Sequence, residues 1–320
     1  MRKALLLFNP LSGRRVWRRF ADVEAAAEVL RKGGIEASTT PTRAAGEAAQ
    51  QVKQAVAEGF DTIFACGGDG TVHDVLQGLI GTHAALGIIP LGTANSLAHD
   101  LGFPASPLRT ARAALTATPR RVTVGRLEYR DFAGNTCNRY FALAVGIGVD
   151  AHLFYNLNPL TKRHLGMMAY YSRATRLWLT HKMQNFAVEF SNGSGPRNAE
   201  VSQVLAVRIQ DFGGILRELA PGASIHRDDL RLVLFHTRSR AAYLGYIIRG
   251  LLGQRWKVPG IELIHSSELA CQPLAATANP SRIFVEADGE LLGTLPVQIG
   301  VVPDAVNLLV PSEKRHSERN

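Results

Sequence analysis

The hexapeptide at 66–71, Cys-Gly-Gly-Asp-Gly-Thr, constrains the fold more than any other stretch of the chain. It follows the apolar run 62–65, and this pattern predicts a buried strand that ends in a tight turn. Apolar residues at helical spacing continue from Thr71 to Ile80, so the glycines precede a helix N-terminus, whose free amides suit phosphate groups. Asp69 would repel phosphates unless a cation lay between them, so it indicates a metal or a proton acceptor. The alternative is a plain glycine turn with a surface aspartate.

Length and composition place the chain among globular proteins. Its 320 residues suffice for two ordinary domains, and it is 46% hydrophobic and 20% charged. The three cysteines, Cys66, Cys137 and Cys271, form no CxxC pair, which argues against a zinc site or a disulfide framework and fits a reducing compartment. The sequence has no apolar run of the roughly 18–20 residues that a membrane span needs. We therefore expect a cytoplasmic protein.

Positive charge is concentrated in two parts of the chain. The formal net charge is +9, and neither 151–188 nor 230–261 contains an aspartate or a glutamate. The basic residues there are Lys162, Arg163, Arg173, Arg176, Lys182, Arg231, Arg238, Arg240, Arg249, Arg255 and Lys257. Each basic residue near an anionic bilayer contributes about 1 kcal/mol, so we expect transient, peripheral association with an anionic membrane, with scattered solubilising charge as the alternative. Nucleic acid is not expected as a partner, because no recognition motif accompanies the charge.

Strands and helices alternate along the first third of the chain. The predicted elements are strands at 3–8, 35–40, 62–65 and 86–90 and helices at 22–32, 44–58 and 71–80. This alternation predicts a doubly wound parallel sheet covered on both faces. Polar turns that contain glycine follow three of the strands, at 9–13, 67–71 and 92–95. Ligands of such sheets bind beyond the carboxyl ends of the strands, so the three turns indicate one binding site.

Short β-rich runs dominate after Arg121 and predict an antiparallel β domain. The predicted strands are 122–129, 139–145, 186–190, 201–209, 230–235 and 282–287. Two helix-like insertions, 160–183 and 241–253, overlap the acid-free basic ranges. A last strand is predicted at 306–310.

Three motifs in this order resemble the diacylglycerol kinase catalytic domain family, most closely its soluble bacterial lipid kinases. They are Asn-Pro-x-Ser-Gly at 9–13, Gly-Gly-Asp-Gly-Thr at 67–71 and Pro-x-Gly-Thr-x-Asn-x-x-Ala at 90–98. The similarity continues through 144–151, 162–166 and 288–290 to Pro311. It implies an NAD kinase-like α/β domain over 1–121, to which 305–311 would return, a β-sandwich lipid-substrate domain over 122–304, and a polar tail over 312–320.

The resemblance implies ATP- and Mg²⁺-dependent phosphoryl transfer to a lipid hydroxyl, in a cleft between the two domains. By position in the motifs, the nucleotide would contact Asn9, Pro10, Ser12, Gly13, Thr42, Gly67, Gly68, Asp69, Gly70, Thr71, His73, Gly92, Thr93 and Asn95. Backbone amides and hydroxyls suit this task, because phosphoryl transfer depends mainly on positioning and charge neutralisation. Diacylglycerol-like and sphingoid acceptors both fit, and association into a homodimer is left open.

A magnesium site is also implied, at 225–230. By family position, Asp228 would bind the ion through its carboxylate, and Ile225 and Leu230 through their carbonyl oxygens, which are the hard ligands that Mg²⁺ prefers. The chain departs from the family here, because Asp229 stands where glycine is usual. The alternative is an Asp-Asp turn that leads into a strand.

The segment 287–290, Ala-Asp-Gly-Glu, carries the implied catalytic base. A lipid hydroxyl becomes an effective nucleophile when its proton is removed as the new bond forms, which a positioned carboxylate can do. By family position Glu290 is the proton acceptor, and Asp288 would orient it or help to hold the metal network. Asp69 is the third residue expected in catalysis. The alternative is a hairpin turn with solvated acids.

Three further departures lie near the phosphate motifs: Ser96 stands where many relatives have aspartate, His99 where arginine is common, and Asp74 where glutamate is usual.

Two other functions are weighed against a lipid kinase. One is a kinase of the NAD kinase type with a water-soluble acceptor, against which the motif at 9–13 and the position of 288–290 both argue. The other is a silent lipid-binding relative, which should have lost its metal and base carboxylates.

Overall fold

The computed structural model describes residues 1–10, 18–43, 46–149, 183–191, 195–212, 219–274 and 283–312. The chain divides into two compact units, Met1–Val122 with Asp304–Asn320, and Thr123–Pro303. Ser12, Gly13 and the insertion expected at 160–183, apart from Met183, lie outside the described residues.

The first unit is built on a parallel sheet. Its strands are β1 (Lys3–Phe8), β2 (Glu36–Pro41), β3 (Thr62–Gly67), β4 (Ala85–Pro90) and the end of the last strand, β15 (Glu290–Val310). Their order is β15-β4-β3-β1-β2, and the neighbours run parallel. Its helices are α1 (Arg19–Lys32), α2 (Ala48–Ala57), α3 (Asp69–Leu79), α4 (Ser96–Asp100) and α5 (Pro107–Ala114).

The apolar runs explain this sheet. Every residue of β3 and β4 is buried, as central parallel strands covered on both faces require. The inner face of α1 adds Val23, Ala26, Ala27 and Leu30 to a core that also contains Leu6, Phe64 and Ile89. The predicted parallel α/β fold is therefore confirmed. Helix α3 begins at Asp69 rather than Thr71, because the glycine turn itself forms the first turn of the helix.

The second unit is made of antiparallel strands and one described helix. Its strands are β5 (Thr118–Arg130), β6 (Thr136–Phe141), β7 (Ala144–Gly148), β8 (Phe186–Ser191), β9 (Pro196–Val201), β10 (Gln203–Val207), β11 (Leu230–Phe235), β12 (Ile261–Ser266), β13 (Glu268–Pro273), β14 (Phe284–Ala287) and the start of β15. They pair in the orders β12-β11-β10-β7-β14-β15 and β15-β13-β8-β9. The helix, α6 (Arg240–Leu251), confirms the insertion expected at 241–253.

Two predicted strands differ from the observed ones. The run at 139–145 is split into β6 and β7, and the amides at the break bind the carboxylate of Asp288. The strand expected at 306–310 is the end of the 21-residue strand β15. No helix among the described residues is long and apolar enough to cross a bilayer.

Candidate active site

The glycine turn joins β3 directly to α3. Gly67 ends β3, Gly68 is the N-cap with φ −95° and ψ −170°, and Asp69 begins the helix. A Cβ atom on Gly67 would lie 2.2 Å from Oγ1 of Thr71, so the first turn of α3 can close only over a glycine. The backbone at the N-terminus of α3 is thereby left bare of side chains, which suits the close approach of an anion.

The turn after β4 packs against this glycine turn. A Cβ atom on Gly68 would lie 3.2 Å from the Cα atom of Gly92. Asn95 adopts the left-handed conformation, with φ 52°. Its Oδ1 atom accepts a hydrogen bond from the amide of Gly92 at 2.8 Å, and its Nδ2 donates to the carbonyl of Gly92 at 3.2 Å. Asn95 therefore closes the turn that presents Thr93, whose side chain is exposed.

The carboxylate of Asp69 faces the start of α4. Its Oδ2 accepts from the hydroxyl of Ser96 and its Oδ1 from the amide of Leu97, both at 3.4 Å. At position 96 the departure from the family thus places a neutral hydroxyl beside Asp69 instead of a second carboxylate. A carboxylate is the type of group that can hold a cation that accompanies phosphate groups.

The first turn lies at the same edge of the sheet. Phe8 is the register partner of Cys66, and Cys66 is the register partner of Ile89, so β1, β3 and β4 end at the same edge of the sheet. Thr42 donates its amide to the carbonyl of Phe8 at 2.8 Å, which places Thr42 next to Asn9 and Pro10. The described residues of all three predicted turns therefore meet at the carboxyl ends of the strands.

His73 lies differently from what the sequence suggests, and Arg19 has a contact that the sequence analysis did not predict. The side chain of His73 is 1% exposed, on the buried face of α3, so any contact with a nucleotide would need a rearrangement. Arg19 is only 4% exposed, and its Nη1 atom donates to the carbonyl of Leu91 at 2.8 Å. Burial lowers the pKa of Arg19. The cluster of arginines at 14–19 was the available signal, but only the structure shows that Arg19 supports the Gly92 turn.

In the second unit, an arginine occupies the predicted magnesium loop. The guanidinium of Arg208, which is fully buried, donates to four carbonyl oxygens. Nη1 contacts those of Arg227 and Asp229, each at 2.6 Å, and Nη2 those of Thr123 at 2.7 Å and Ile225 at 3.1 Å. Burial lowers the pKa of Arg208 to about 10, so the guanidinium stays charged at neutral pH.

The predicted magnesium ligands do not fit an ion in this arrangement. The Ile225 carbonyl already accepts from a cation, the Asp228 carboxylate accepts a short hydrogen bond from the Thr123 hydroxyl, and Leu230 is paired with Ser266 at the start of β11. A magnesium ion at about 2.1 Å from the same carbonyl would stand against the guanidinium. No group of three or more His, Cys, Asp or Glu side chains within the described ranges could hold a metal.

Asp229, which stands where the family usually has glycine, belongs to a surface ion pair. Its Oδ1 accepts from Nε of Arg227 at 2.7 Å and lies 3.2 Å from Nδ1 of His265. Burial raises the pKa of Asp229, but the hydrogen bond from Arg227 and the charge of His265 outweigh burial and lower the pKa overall.

The carboxylate of Asp288 is saturated by backbone amides. Oδ2 accepts from Ala142 at 2.9 Å, and Oδ1 accepts from Leu143 at 2.9 Å and Ala144 at 3.1 Å. Asp288 and Gly289 have φ values of 50° and 85°, which is the Asp-Gly pattern of a two-residue hairpin. Asp288 therefore fixes the β14–β15 hairpin to the break between β6 and β7.

The hairpin presents two further carboxylates. Glu290 is half-buried at the start of β15, opposite Ala287. Glu286, which the sequence analysis missed, is 6% exposed, and its Oε2 accepts from the amide of Gly289 at 2.9 Å. The missed signal was a buried strand that ends in Glu-Ala-Asp-Gly-Glu, with acids on both sides of the turn.

Comparisons with known proteins agree with both units. The family model described as "Diacylglycerol kinase catalytic domain" matches residues 3–127, and that of the "YegS C-terminal NAD kinase beta sandwich-like domain" matches residues 143–310. The chain is 26% identical over 320 residues to the diacylglycerol kinase of Bacillus subtilis (strain 168), with 98% of each chain covered. It is 24% identical to that of Staphylococcus aureus (strain JH9), covering 98% of this chain and 93% of the relative.

Solved structures share the fold. A diacylglycerol kinase structure from Bacillus anthracis (strain Sterne) has a TM-score of 0.69 at 20% identity and covers 96% of each chain. Yeast NADH kinase in complex with NADH has a TM-score of 0.51 at 12% identity and covers 98% of this chain and 84% of its own. The NAD kinase-like α/β unit and the β-sandwich-type second domain are confirmed. With family models matched over most of the sequence and the described residues of the three glycine-containing turns at one sheet edge, the chain belongs to the diacylglycerol kinase catalytic domain family and is a lipid kinase.

Proposed function

We propose that this kinase transfers the γ-phosphoryl group of ATP to the hydroxyl of a diacylglycerol-like lipid. The observation that carries the proposal is the packing of the Gly68 and Gly92 turns at the carboxyl ends of β3 and β4. This surface of bare backbone beside a helix N-terminus suits a polyphosphate. The acceptor is supported by the relatives named diacylglycerol kinase.

In this proposal the first unit binds the nucleotide. Amides at the start of α3 and the exposed hydroxyl of Thr93 hold phosphate oxygens, while Asn95 and Arg19 keep the Gly92 turn in place. Asp69 is the residue that would hold the magnesium ion that accompanies ATP. That ion neutralises phosphate charge, which is the main requirement of phosphoryl transfer.

The second unit supplies the proton acceptor. We propose that Glu290 takes the proton of the lipid hydroxyl as the new P–O bond forms and as the bond between the γ-phosphorus and the bridging oxygen breaks, which releases ADP. Asp288 holds the hairpin that carries Glu290, through three hydrogen bonds to backbone amides. The placement of the reaction in a cleft between the two domains stays a prediction.

The test is a transfer assay with the purified chain, Mg²⁺ and γ-labelled ATP. Diacylglycerol in mixed micelles, sphingosine and NADH are supplied in parallel, the last because yeast NADH kinase shares the fold. We expect labelled phosphatidic acid, and no label from the Asp69→Asn protein. Label in the NADH reaction alone would support the water-soluble acceptor instead. ATP binding without any label transfer would support a silent relative.

A further inference from the structure

Helix α6 has two faces of different character. Tyr243, Tyr246 and Arg249 are buried on its inner face. On the outer face, Leu244, Ile247, Ile248 and Leu251 form a stripe at i, i+3, i+4 and i+7, and each is between 40% and 48% exposed. A helix that packs on a domain usually presents polar residues to water at these positions. The outer face is therefore suited to an apolar environment.

Exposed apolar side chains are concentrated in this part of the chain. Of the 11 large hydrophobic residues that are exposed within the described ranges, six lie between 244 and 256. Leu252 is 61% exposed and Trp256 is 44% exposed, and both directly follow α6. Contiguous patches of this kind mark interaction sites, and tryptophan is enriched where a protein meets the headgroup layer of a bilayer.

The charge around the stripe has one sign. Arg238 and Arg240 precede the stripe, Arg255 and Lys257 follow it, and 230–261 contains no acidic residue. A basic border around an apolar face complements an anionic bilayer, because the cations meet headgroups while the apolar side chains enter the acyl boundary.

A basic cavity of about 460 Å³ is lined by the inner face of α6 and by the segment that follows the helix. Its lining includes Arg231, Arg249, Arg255 and Lys257, together with Trp256. The one acidic residue in the lining, Glu262, is bound by Arg197 at 3.1 Å and lies 3.1 Å from Nε2 of His236. Burial lowers the pKa of Arg231, and the charges of Arg227 and Arg249 act in the same direction. The cavity has the size and charge for the phosphate of one headgroup.

We propose that α6 and the segment 252–257 form a docking surface for an anionic phospholipid bilayer, with the basic cavity receiving a lipid headgroup. The inference rests on the proposed function in one respect, since a lipid acceptor requires the kinase to reach a membrane. The stripe enters the headgroup boundary and the cavity binds a phosphate. The apolar residues and the basic residues therefore make separate contributions to the affinity for the bilayer.

Vesicle flotation without ATP or acceptor tests the proposal. The wild-type chain should bind vesicles of phosphatidylglycerol and phosphatidylcholine, and bind pure phosphatidylcholine weakly. Ile247→Ser should reduce the affinity about tenfold, whereas Leu108→Ser should not, although Leu108 is equally exposed, at 42% against 41%. Arg255→Gln with Lys257→Gln should reduce binding and its salt dependence, whereas Arg120→Gln with Arg130→Gln should not.

Two further measurements separate the outcomes. Ile247→Ser should keep its turnover on a short-chain, water-soluble diacylglycerol. A wild-type dimer in solution that Ile247→Ser converts to a monomer would overturn the proposal, because the stripe would then be a contact between copies. Binding that is equal for Ile247→Ser and wild type would overturn it too. Intact vesicle binding without phosphorylation of any lipid would contradict the proposed function and leave the docking surface standing.

The loop around Asp228 carries a second inference from a different observation. Family position implies a divalent cation there, yet Arg208 donates to the carbonyl oxygens of Thr123, Ile225, Arg227 and Asp229. We infer that Arg208 is the resident cation of this loop and that the chain binds no divalent cation at Asp228. The only magnesium the reaction then needs is the ion that accompanies ATP.

Thermal unfolding without nucleotide tests this second inference. The Tm of the wild type should be the same in Mg²⁺ and in EDTA. Arg208→Gln should lower it by about 10 °C, and Arg227→Gln, an exposed change in the same loop, should lower it much less. If Arg208→Gln does not fold, the dependence of the wild-type Tm on Mg²⁺ still tests whether the loop binds a divalent cation. A saturable rise of the wild-type Tm with Mg²⁺ that Asp228→Asn abolishes would overturn the inference.

Discussion

A Cβ atom on Gly92 would lie 2.4 Å from the Cα atom of Gly68. The two turns therefore touch through their backbones. We expect Gly92→Ala to separate them and to lower turnover at least about a hundredfold, because misplacing groups by about 1 Å is enough for such a loss. Gly300→Ala is the matched control, since its Cβ would meet only the Ser267 carbonyl at 3.9 Å. Equal activity of the two variants would show that the contact between the turns is dispensable.

Asp69→Asn should lower turnover by orders of magnitude and leave the Tm nearly unchanged. The substitution keeps the shape of the side chain and removes the charge that would hold the magnesium ion beside phosphate. Ser96→Ala removes a long, 3.4 Å hydrogen bond to Asp69, so its turnover should stay within a few fold of wild type. Steady-state kinetics at saturating MgATP measure both. Near-normal turnover of the Asp69→Asn protein would show that this carboxylate has no part in the mechanism.

Glu290→Gln should lower kcat by about 10² to 10⁴, the usual contribution of a general base, while ATP binding survives. Glu286→Gln retains an acceptor for the Gly289 amide and should cost less than about tenfold. The comparison distinguishes the two carboxylates of one hairpin. If Glu286→Gln were the more damaging change in kcat, the assignment of the base would pass to Glu286.

Asp288→Ala should lower the free energy of unfolding by about 3 kcal/mol or more, because it leaves three amides without their charged acceptor. It also places alanine at a φ of 50°, a conformation that aspartate and asparagine adopt more readily than alanine. Asp288→Asn should cost less, since asparagine tolerates this conformation and keeps an acceptor. Urea unfolding measures both. An Asp288→Ala protein of full stability but no activity would assign Asp288 a direct part in the chemistry.

The ion pair of Asp229 should make stability depend on pH in the acid range. Its pKa is lowered in the folded state, so the pair stabilises the protein above the unfolded pKa of about 3.8. The contribution is lost as the pH falls through the folded value. Urea unfolding should therefore show wild type more stable than Asp229→Asn at pH 7, and this difference in stability should shrink as the pH falls below about 3.8. A difference that persists unchanged at pH 3 would contradict an ionic origin.

Local patterns were enough to predict the parallel sheet and the three turns. Buried parallel strands such as β3 have continuous apolar sequences, and the turns follow them directly in the chain. Long-range partners could not be predicted in this way. Asp288 binds amides 144 to 146 residues away, and Arg208 reaches a carbonyl 85 residues away. The sequence pattern does not reveal these partners, because residues of any type carry a backbone carbonyl and nearly all carry a backbone amide. For the same reason the 225–230 segment resembled a metal loop until Arg208 was located.

Strand β15 belongs to both units, and its Asn307 and Leu308 pair with β4. The parallel sheet of the first unit is thus completed by residues far along the chain from β4. While the protein is being synthesised, β4 has an open edge until residue 308 has left the ribosome, and open edges of apolar strands invite pairing with other chains. The sheet therefore closes only after the second unit has been synthesised, and a premature stop after the first 122 residues would release a fragment with that edge exposed.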